Sequence, residues 1–170
     1  GFTRNRAVRV IQASVARARR YADEVQFSLE DATRADPIFT RQCAEVAVTA
    51  GATRINVADT AGCAAPEEFG ALVRDMVVFL EGRALVSAYC HNGAGLATAN
   101  TVAAVRNGAA QVQVAVNGPG ARGGNAAVEE VATVLTAGQI GRVRVRLDRM
   151  DRLRRLVAEI AGAPNATVLC

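Results

Sequence analysis

The sequence predicts an α/β fold whose strands form one parallel sheet. Three observations favour this class: short β-type runs alternate with helix-type segments, the repeat is roughly 30 residues long, and no hairpin signal joins two consecutive runs. A strand–helix–strand unit of this length places successive strands side by side in the same direction, because the helix carries the chain back along the sheet. Hydrophobic residues make up 51% of the chain, which allows a sizeable buried core.

The first half of the chain contains clear helix boundaries. Apolar residues recur at helical spacing over 5–21, which predicts an opening helix. Asp36 and Pro37 are typical of an N-cap followed by a first helical turn, and Gly51 is suited to ending that helix. Pro66 opens a further helix with two carboxylates in its first turn. The predicted elements are a helix over 5–21, a strand over 25–27, a helix over 37–50, a strand over 54–58 and a helix from 66.

The second half repeats the pattern of the first. The junction at Gly108 resembles the one at Gly51, since each glycine stops a helix just before an apolar run. The predicted strands cover 85–88, 111–116 and 143–147, and the predicted helices cover about 95–107, about 125–136 and 150–161. The whole chain therefore provides five candidate strands.

Composition argues against several classes of function. No apolar run approaches the ~18 residues of a membrane span, and no secretory signal is visible. The net charge is +4 and all 20 basic residues are arginine, but no aromatic residues are interleaved with them, so nucleic-acid binding is not expected. The cysteines form no C-x-x-C pair, which argues against a zinc or redox site and favours a reducing cytoplasm.

Two architectures fit this pattern of elements, a doubly wound open sheet and part of a (β/α)8 barrel. Periodicity does not separate them. The 170 residues are short for a complete barrel of about 250 residues and fit five of its eight units as a single domain over 1–170. The chain begins with Gly1 rather than Met, which favours a trimmed or incomplete chain.

Polar residues follow four successive predicted strands. Reactive groups of parallel α/β proteins gather at the carboxyl ends of the strands, in either architecture. This position is occupied by Ser28, Glu30, Asp31 and Arg34 after the first strand, Asp59 and Thr60 after the second, Tyr89, His91 and Asn92 after the third, and Asn117 with the glycine-rich run 118–125 after the fourth. The sequence therefore predicts a functional site at this edge.

Each of these residues also has an ordinary structural interpretation. His91 is the only histidine and could simply be a satisfied structural residue. Asp31 and Arg34 could form a local ion pair, which contributes little on a surface. Asp59 could cap a turn, and the glycine run could be a flexible loop, since it lacks the lysine of a phosphate-binding loop. The arginines over 142–155 fit a solvated helix face.

Four longer segments carry a family resemblance. VQFSLEDATRADPIF (25–39), AGATRINVADTAGCAAPEEFG (50–70), CHNGAGLATANTVAAVRNGAAQV (90–112) and VNGPGARGGNAAVEEV (116–131) are similar, in this order, to the α-isopropylmalate synthase and homocitrate synthase family. The residues of the first two segments favour isopropylmalate synthase over homocitrate synthase. The resemblance implies a partial (β/α)8 TIM barrel, about strands 4 to 8 with their helices.

The resemblance also implies a reaction. Enzymes of this family condense acetyl-CoA with a 2-oxo acid, which is 2-oxoisovalerate for the isopropylmalate synthases of leucine biosynthesis. A divalent metal (Mg, Mn or Zn) binds the carbonyl and carboxylate oxygens of the oxo acid and polarises the carbonyl as a Lewis acid. A base removes a proton from the acetyl methyl group, and water then cleaves the thioester. No residue of this sequence is assigned as that base.

Particular residues match the family's functional positions. His91 matches the second histidine of an H-x-H metal pair, and Asn125 matches the asparagine of the metal environment. Thr60 matches a threonine that contacts the oxo acid, and Glu30 matches a glutamate near the substrate. The segment that closes over the site near the acyl-CoA corresponds to the loop containing Gly118, Gly120, Arg122 and Gly124.

Several positions depart from the family pattern. Tyr89 stands where the first metal histidine is expected, and a neutral phenol is a poor ligand at pH 7. Gly93 replaces an aspartate and Ala121 replaces a glutamate. The opening D-R-E segment, with a metal-binding aspartate and a catalytic arginine, is not found in this sequence. Two neutral ligands, His91 and Asn125, are expected to hold a hard divalent ion poorly.

Three hypotheses follow. The chain is part of an isopropylmalate synthase-like or homocitrate synthase-like acyltransferase that is inactive alone and needs self-association or a companion chain to supply the missing strands. Alternatively, it is a decayed barrel that serves as a non-catalytic binding or scaffold subunit. A third hypothesis is an anion-binding domain that uses the glycine loop and the arginines, for which CoA binding without metal is the test.

Overall fold

The computed structural model describes residues 3–121 and 123–162, which alternate between helices and strands. The helices are α1 (Arg4–Ala18), α2 (Pro37–Thr49), α3 (Pro66–Leu80), α4 (Ala97–Arg106), α5 (Val128–Ala137) and α6 (Met150–Ile160). The strands are β1 (Gln26–Leu29), β2 (Arg54–Asp59), β3 (Leu85–Cys90) and β4 (Gln111–Gln113), and a 3-10 turn (Leu147–Arg149) leads into α6. None of the described helices combines the length and apolar character needed to cross a membrane.

The described strands form one parallel sheet in the order β1-β2-β3-β4. Each strand lies beside the next one in the sequence, as in a barrel, and the order never reverses as it does at the switch point of a doubly wound sheet. Gln111 Nε2 on β4 donates to Gln26 Oε1 on β1 at 3.4 Å, so the side chains of the two outer strands meet across β2 and β3. This contact fits a curled sheet, and together with the strand order it supports the partial barrel and not the open sheet.

The two faces of the sheet differ in polarity. The convex face is apolar and packs beneath the helices, with Ile55, Val57 and Ala88 completely buried. Phe69 of α3 is the largest fully buried side chain among the described residues. On the concave face, Ser28, Asn56 and Ser87 occupy adjacent positions on β1, β2 and β3. Side chains alternate between faces along each strand, so the same strands supply an apolar core and a polar barrel interior.

The helix boundaries follow from local chemistry. The Asp36 side chain accepts a hydrogen bond from the Phe39 N–H at 2.8 Å, and Pro37 begins α2, as predicted. Gly51 follows the helix with φ = 108°, a conformation that favours glycine, which also confirms the prediction. Asn92 Oδ1 accepts from the Ala97 N–H at 3.1 Å and caps α4.

The predicted fifth strand over 143–147 is wrong. Residues 142–146 have neither helical nor strand structure, and Leu147 already belongs to the 3-10 turn. Val143 and the β4 residues Gln111 and Val112 line a pocket of about 270 Å³, and among the described residues this segment pairs with no strand. A strand is stabilised by pairing with a neighbouring strand. Without such pairing, the Val145 side chain remains 40% exposed to solvent.

The segment after β4 also differs from the prediction. The strand ends at Gln113 rather than at residue 116, and α5 begins at Val128 rather than near residue 125. Between these points the chain turns back on itself, and isolated bridges join Ala115 to Ala127 and His91 to Asn125. These backbone contacts bring the glycine-rich loop to the end of β3.

Candidate active site

The ends of β1 and β2 bring Glu30 and Thr60 together. The Thr60 hydroxyl donates to Glu30 Oε2 at 3.1 Å, and its oxygen accepts from the Asp31 N–H at 2.8 Å. Asp31 has φ = 56°, a left-handed conformation that aspartate adopts more readily than most residues, and the chain turns just after the strand. Glu30 is exposed and Thr60 is half-buried, which places a carboxylate and a hydroxyl at the rim of the sheet.

Asp31 and Arg34 form the local ion pair that the sequence suggested. Arg34 Nη2 lies 2.7 Å from Asp31 Oδ2, and both side chains are exposed to solvent. The pKa of Arg34 is raised, chiefly by the hydrogen bond to Asp31. The ion pair lies on the surface of the turn, where it contributes little to stability.

Asp59 has a structural role beneath the rim. Its carboxylate is completely buried, and it accepts hydrogen bonds from the Gly62 N–H (3.1 Å), the Ala64 N–H (3.3 Å), the Thr33 hydroxyl (3.1 Å) and the Asn100 amide (3.3 Å). The turn-cap interpretation is therefore confirmed. Asp59 fixes the loop that begins with Thr60 and connects it to α4.

Tyr89, His91 and Asn125 meet at the end of β3. The Tyr89 hydroxyl donates to Asn125 Oδ1 at 2.6 Å, and Asn125 Nδ2 donates to the Pro119 carbonyl at 2.5 Å. The rings of Tyr89 and His91 pack edge to face with centroids 4.9 Å apart. His91 is 7% exposed, and its Nδ1 lies 3.3 Å from the Ala121 carbonyl oxygen. The two predicted metal positions are thus brought side by side.

The glycine-rich loop is tied to this end of the sheet by backbone hydrogen bonds. Asn125 N–H donates to Gly118 O, and Asn92 N–H donates to Gly124 O, both at 2.9 Å. At Gly120 an added Cβ would lie 2.6 Å from Asn125 Nδ2, so this position has no room for a side chain. The described ends of the loop are therefore held at the strand end by these contacts. The predicted loop residue Arg122 lies outside the described residues.

The described residues do not fit a divalent metal by themselves. No group of three or more His, Cys, Asp or Glu side chains within residues 3–121 and 123–162 could hold one. His91 and Asn125 are neutral donors, and Asn125 Oδ1 already accepts the Tyr89 hydroxyl. Gly93, where the family pattern has aspartate, approaches the Ala61 carbonyl so closely that an added Cβ would lie 2.5 Å from its oxygen. A hard divalent ion prefers charged oxygen ligands, which this set does not offer.

Cys90, which lies beside these residues, has a buried and protonated thiol. Burial raises the pKa of Cys90 to about 12, so the thiol stays protonated at neutral pH. Cys90 stands between Tyr89 and His91 in the sequence. Its side chain is completely buried on the convex face of β3. Cys90 therefore lacks the exposure and the thiolate character of a reactive cysteine.

A second buried polar cluster escaped the sequence prediction. Arg154 of α6 lies 3.1 Å from Glu129 of α5, with 11% and 8% of their side chains exposed. Glu129 also accepts the Asn117 N–H at 3.1 Å, and Arg154 Nε donates to Asn117 Oδ1 at 3.0 Å. The prediction that the 142–155 arginines all line a solvated face is wrong for Arg154. Asn117 has φ = 64°, and its pairing with Gly118 was the one available sequence signal for this turn.

A curled parallel sheet with polar groups at the carboxyl ends of its strands defines a section of a (β/α) barrel that carries an active-site end. The chain belongs to the HMGL-like family, whose model matches residues 1–157. This match confirms the resemblance to acyl-CoA-condensing barrels that the four motifs indicated.

Curated relatives agree with this assignment. The chain is 43% identical over 167 residues to the 2-isopropylmalate synthase of Caulobacter vibrioides (strain NA1000 / CB15N), with 91% of this chain and 30% of the relative covered. It is 41% identical over 163 residues to the 2-isopropylmalate synthase of Sulfurisphaera tokodaii, with 96% and 42% covered. The chain therefore spans less than half the length of these relatives.

Solved structures share the fold. Hydroxymethylglutaryl-CoA lyase from Pseudomonas aeruginosa is similar with a TM-score of 0.77 at 20% identity, and the match covers 96% of this chain and 57% of that one. The carboxyl transferase domain of Rhizobium etli pyruvate carboxylase, solved with pyruvate, gives a TM-score of 0.68 at 19% identity, with 86% and 26% covered. At these identities the likeness establishes the partial barrel alone.

Proposed function

We propose that this chain is the active-site end of an acyl-CoA-condensing barrel of the 2-isopropylmalate synthase type, and that it does not catalyse alone. The complete reaction joins acetyl-CoA to 2-oxoisovalerate in leucine biosynthesis. The observation that carries the proposal is the juxtaposition of Glu30 with Thr60 and of His91 with Asn125 at one edge of the curled sheet. These are the four positions that the resemblance assigns to oxo acid and metal.

The Glu30–Thr60 pair is suited to binding the oxo acid. The Thr60 hydroxyl has one hydrogen, which Glu30 accepts in this structure. A carboxylate oxygen of the oxo acid can replace Glu30 as the acceptor. Because the Asp31 N–H and the buried Asp59 fix the turn, this hydroxyl is held in place before the ligand arrives.

Catalysis needs groups beyond the described residues. A bound divalent cation would supply Lewis-acid polarisation in the family reaction, but His91 and Asn125 alone do not fit one. Within the described part of the chain, β1 and β4 each pair with one strand only. We infer that a companion segment, a companion chain or self-association supplies the remaining strands and ligands to this single domain, in the cytoplasm, where its free thiols stay reduced.

The second candidate function is a non-catalytic binding or scaffold subunit. The Tyr89–Asn125 hydrogen bond favours this reading, because it occupies an oxygen that the family pattern assigns to the metal environment. Under this reading the loop stays closed and the site has no reaction to perform.

A chimera separates the two functions. Residues 3–162 replace the matching segment of the Caulobacter vibrioides 2-isopropylmalate synthase, and CoA release from acetyl-CoA is measured with 2-oxoisovalerate and with 2-oxoglutarate. We expect a folded chimera with low but measurable CoA release, because the relative supplies the missing strands and ligands, and at least a tenfold gain with Tyr89→His. In that background Thr60→Val lowers the rate again, whereas Thr136→Val on the exposed face of α5 does not.

The outcomes of the chimera experiment are distinct. A folded Tyr89→His chimera without CoA release contradicts the enzymatic proposal and supports the scaffold subunit. Faster turnover with 2-oxoglutarate assigns the homocitrate synthase type instead. Release of CoA by the 170-residue chain alone contradicts the statement that it is inactive by itself.

A further inference from the structure

The hydrogen bond between Tyr89 and Asn125 is short and well placed. Tyr89 points from the concave face of β3, in register with Ala58 and Gln113 of the neighbouring strands. Its hydroxyl lies 2.6 Å from Asn125 Oδ1, which is at the short end of the range for O–H···O bonds. Edge-to-face packing against His91 fixes the orientation of the phenol ring.

Both ends of the Asn125 amide are engaged inside the protein. Oδ1 accepts from Tyr89, and Nδ2 donates to the Pro119 carbonyl of the loop. The backbone N–H of Asn125 donates to Gly118 at the start of the same loop. Asn125 therefore connects the loop to the strand end entirely through protein groups.

We propose that the Tyr89–Asn125 hydrogen bond replaces a metal ion as the link between the described loop residues 117–121 and 123–125 and the end of β3, so that they are held at the strand end without any divalent cation. This inference rests on the proposed function, since only the family pattern leads one to expect a cation at this point. Tyr89 is thus a positioning residue that holds Asn125 and, through it, the glycine-rich loop.

Electrostatics explains why the link excludes a cation. The hydroxyl hydrogen of Tyr89 carries partial positive charge and points at Asn125 Oδ1, the oxygen that a cation would need. No group of three or more His, Cys, Asp or Glu side chains among the described residues could hold a metal here, and position 93, where the family pattern has aspartate, is glycine. A cation would have to break the hydrogen bond and gain only neutral ligands in return.

Two measurements on the 170-residue chain test the proposal. Isothermal titration with MnCl₂ and with MgCl₂ is expected to give no binding to the wild-type chain up to millimolar concentration. Amide exchange followed by NMR is expected to show the same protection of the Asn92 and Asn125 N–H groups with Mg²⁺ and with EDTA. Tyr89→Phe keeps the ring beside His91 but removes the hydroxyl, and it is expected to speed exchange at these two amides at least tenfold.

Controls separate a local effect from general destabilisation. Tyr21→Phe makes the same chemical change at a tyrosine that is 80% exposed, and it should leave exchange at Asn92 and Asn125 unchanged. The Val57 amide in the central sheet should stay protected in both variants, which shows that Tyr89→Phe is folded.

Two results would overturn the proposal. One is wild-type binding of Mn²⁺ or Mg²⁺ at any concentration up to millimolar that is lost in His91→Ala. The other is unchanged exchange at Asn92 and Asn125 in Tyr89→Phe. Either result leaves the chimera assay untouched, because that assay measures CoA release, so failure of this link is distinguishable from failure of the proposed function.

Discussion

Replacing Asp59 by alanine is expected to destabilise the chain strongly. The carboxylate is completely buried and accepts four hydrogen bonds, two of them from backbone N–H groups. Hydrogen bonds to a charged group contribute about 1.5–3 kcal/mol each, and a buried donor left unsatisfied costs about 1–3 kcal/mol, but these contributions are not additive. We therefore expect the free energy of unfolding to fall by about 4 kcal/mol, less than the sum over the four donors.

Urea denaturation followed by circular dichroism measures this loss. For a chain of this length, about 4 kcal/mol corresponds to a melting temperature roughly 8–16 °C lower. The matched control is Asp75→Ala, because Asp75 is 60% exposed and lies 3.7 Å from Arg41 in a loose surface pair. A loss below about 1 kcal/mol for Asp59→Ala would refute the reasoning, since four buried donors would then have found other partners at little cost.

Three further predictions use other contacts. Glu129→Gln should lower the free energy of unfolding in urea by about 3 kcal/mol, because Arg154 stays buried without its countercharge, whereas Asp148→Asn in the exposed pair with Arg146 should leave the urea midpoint unchanged; equal effects would contradict this. Iodoacetamide at pH 8 should alkylate exposed Cys63 but not folded Cys90, whose pKa burial raises to about 12, and intact-peptide mass spectrometry detects the difference. The pKa of Asp36 is lowered, first by the Phe39 N–H and then by Arg4, so its stabilisation is present above the ordinary aspartate pKa of about 4 and is lost as pH falls through the lower folded value. Asp36→Asn should therefore weaken the fall in the free energy of unfolding as pH decreases below about 4, measured by urea denaturation at several pH values. An unchanged fall would contradict this role for Asp36.

Much of the fold could be read from local signals. Asp36, Pro37 and Gly51 mark the ends of α2 because capping and backbone conformation depend on residues close in sequence. The alternation of elements also led to the parallel sheet, since a helix between two strands leaves few ways to pair them. The predicted strand at 143–147 was wrong because a strand forms only by pairing with a neighbour, and this segment pairs with no strand among the described residues.

The candidate site was predictable in its membership but not in its contacts. The strand-end rule and the motifs together named Glu30, Thr60, His91 and Asn125, and the structure brings these four residues together in pairs. The metal-ligating and substrate roles given to them remain predictions. Tyr89 appeared in the sequence only as a missing histidine, whereas in the structure it forms the hydrogen bond that holds Asn125.

The sequence by itself determined the class of fold, the family and the residues at the strand ends, because these depend on periodicity, capping and motif order along the chain. Only the tertiary structure shows that the buried Asp59 carboxylate accepts four hydrogen bonds. The same is true of the Arg154–Glu129 ion pair and of the Tyr89–Asn125 hydrogen bond. The partners in these contacts are 25 to 41 residues apart, except for the turn around Asp59 itself. Such pairs are specified by how the sheet curls and the helices pack, which no local pattern encodes.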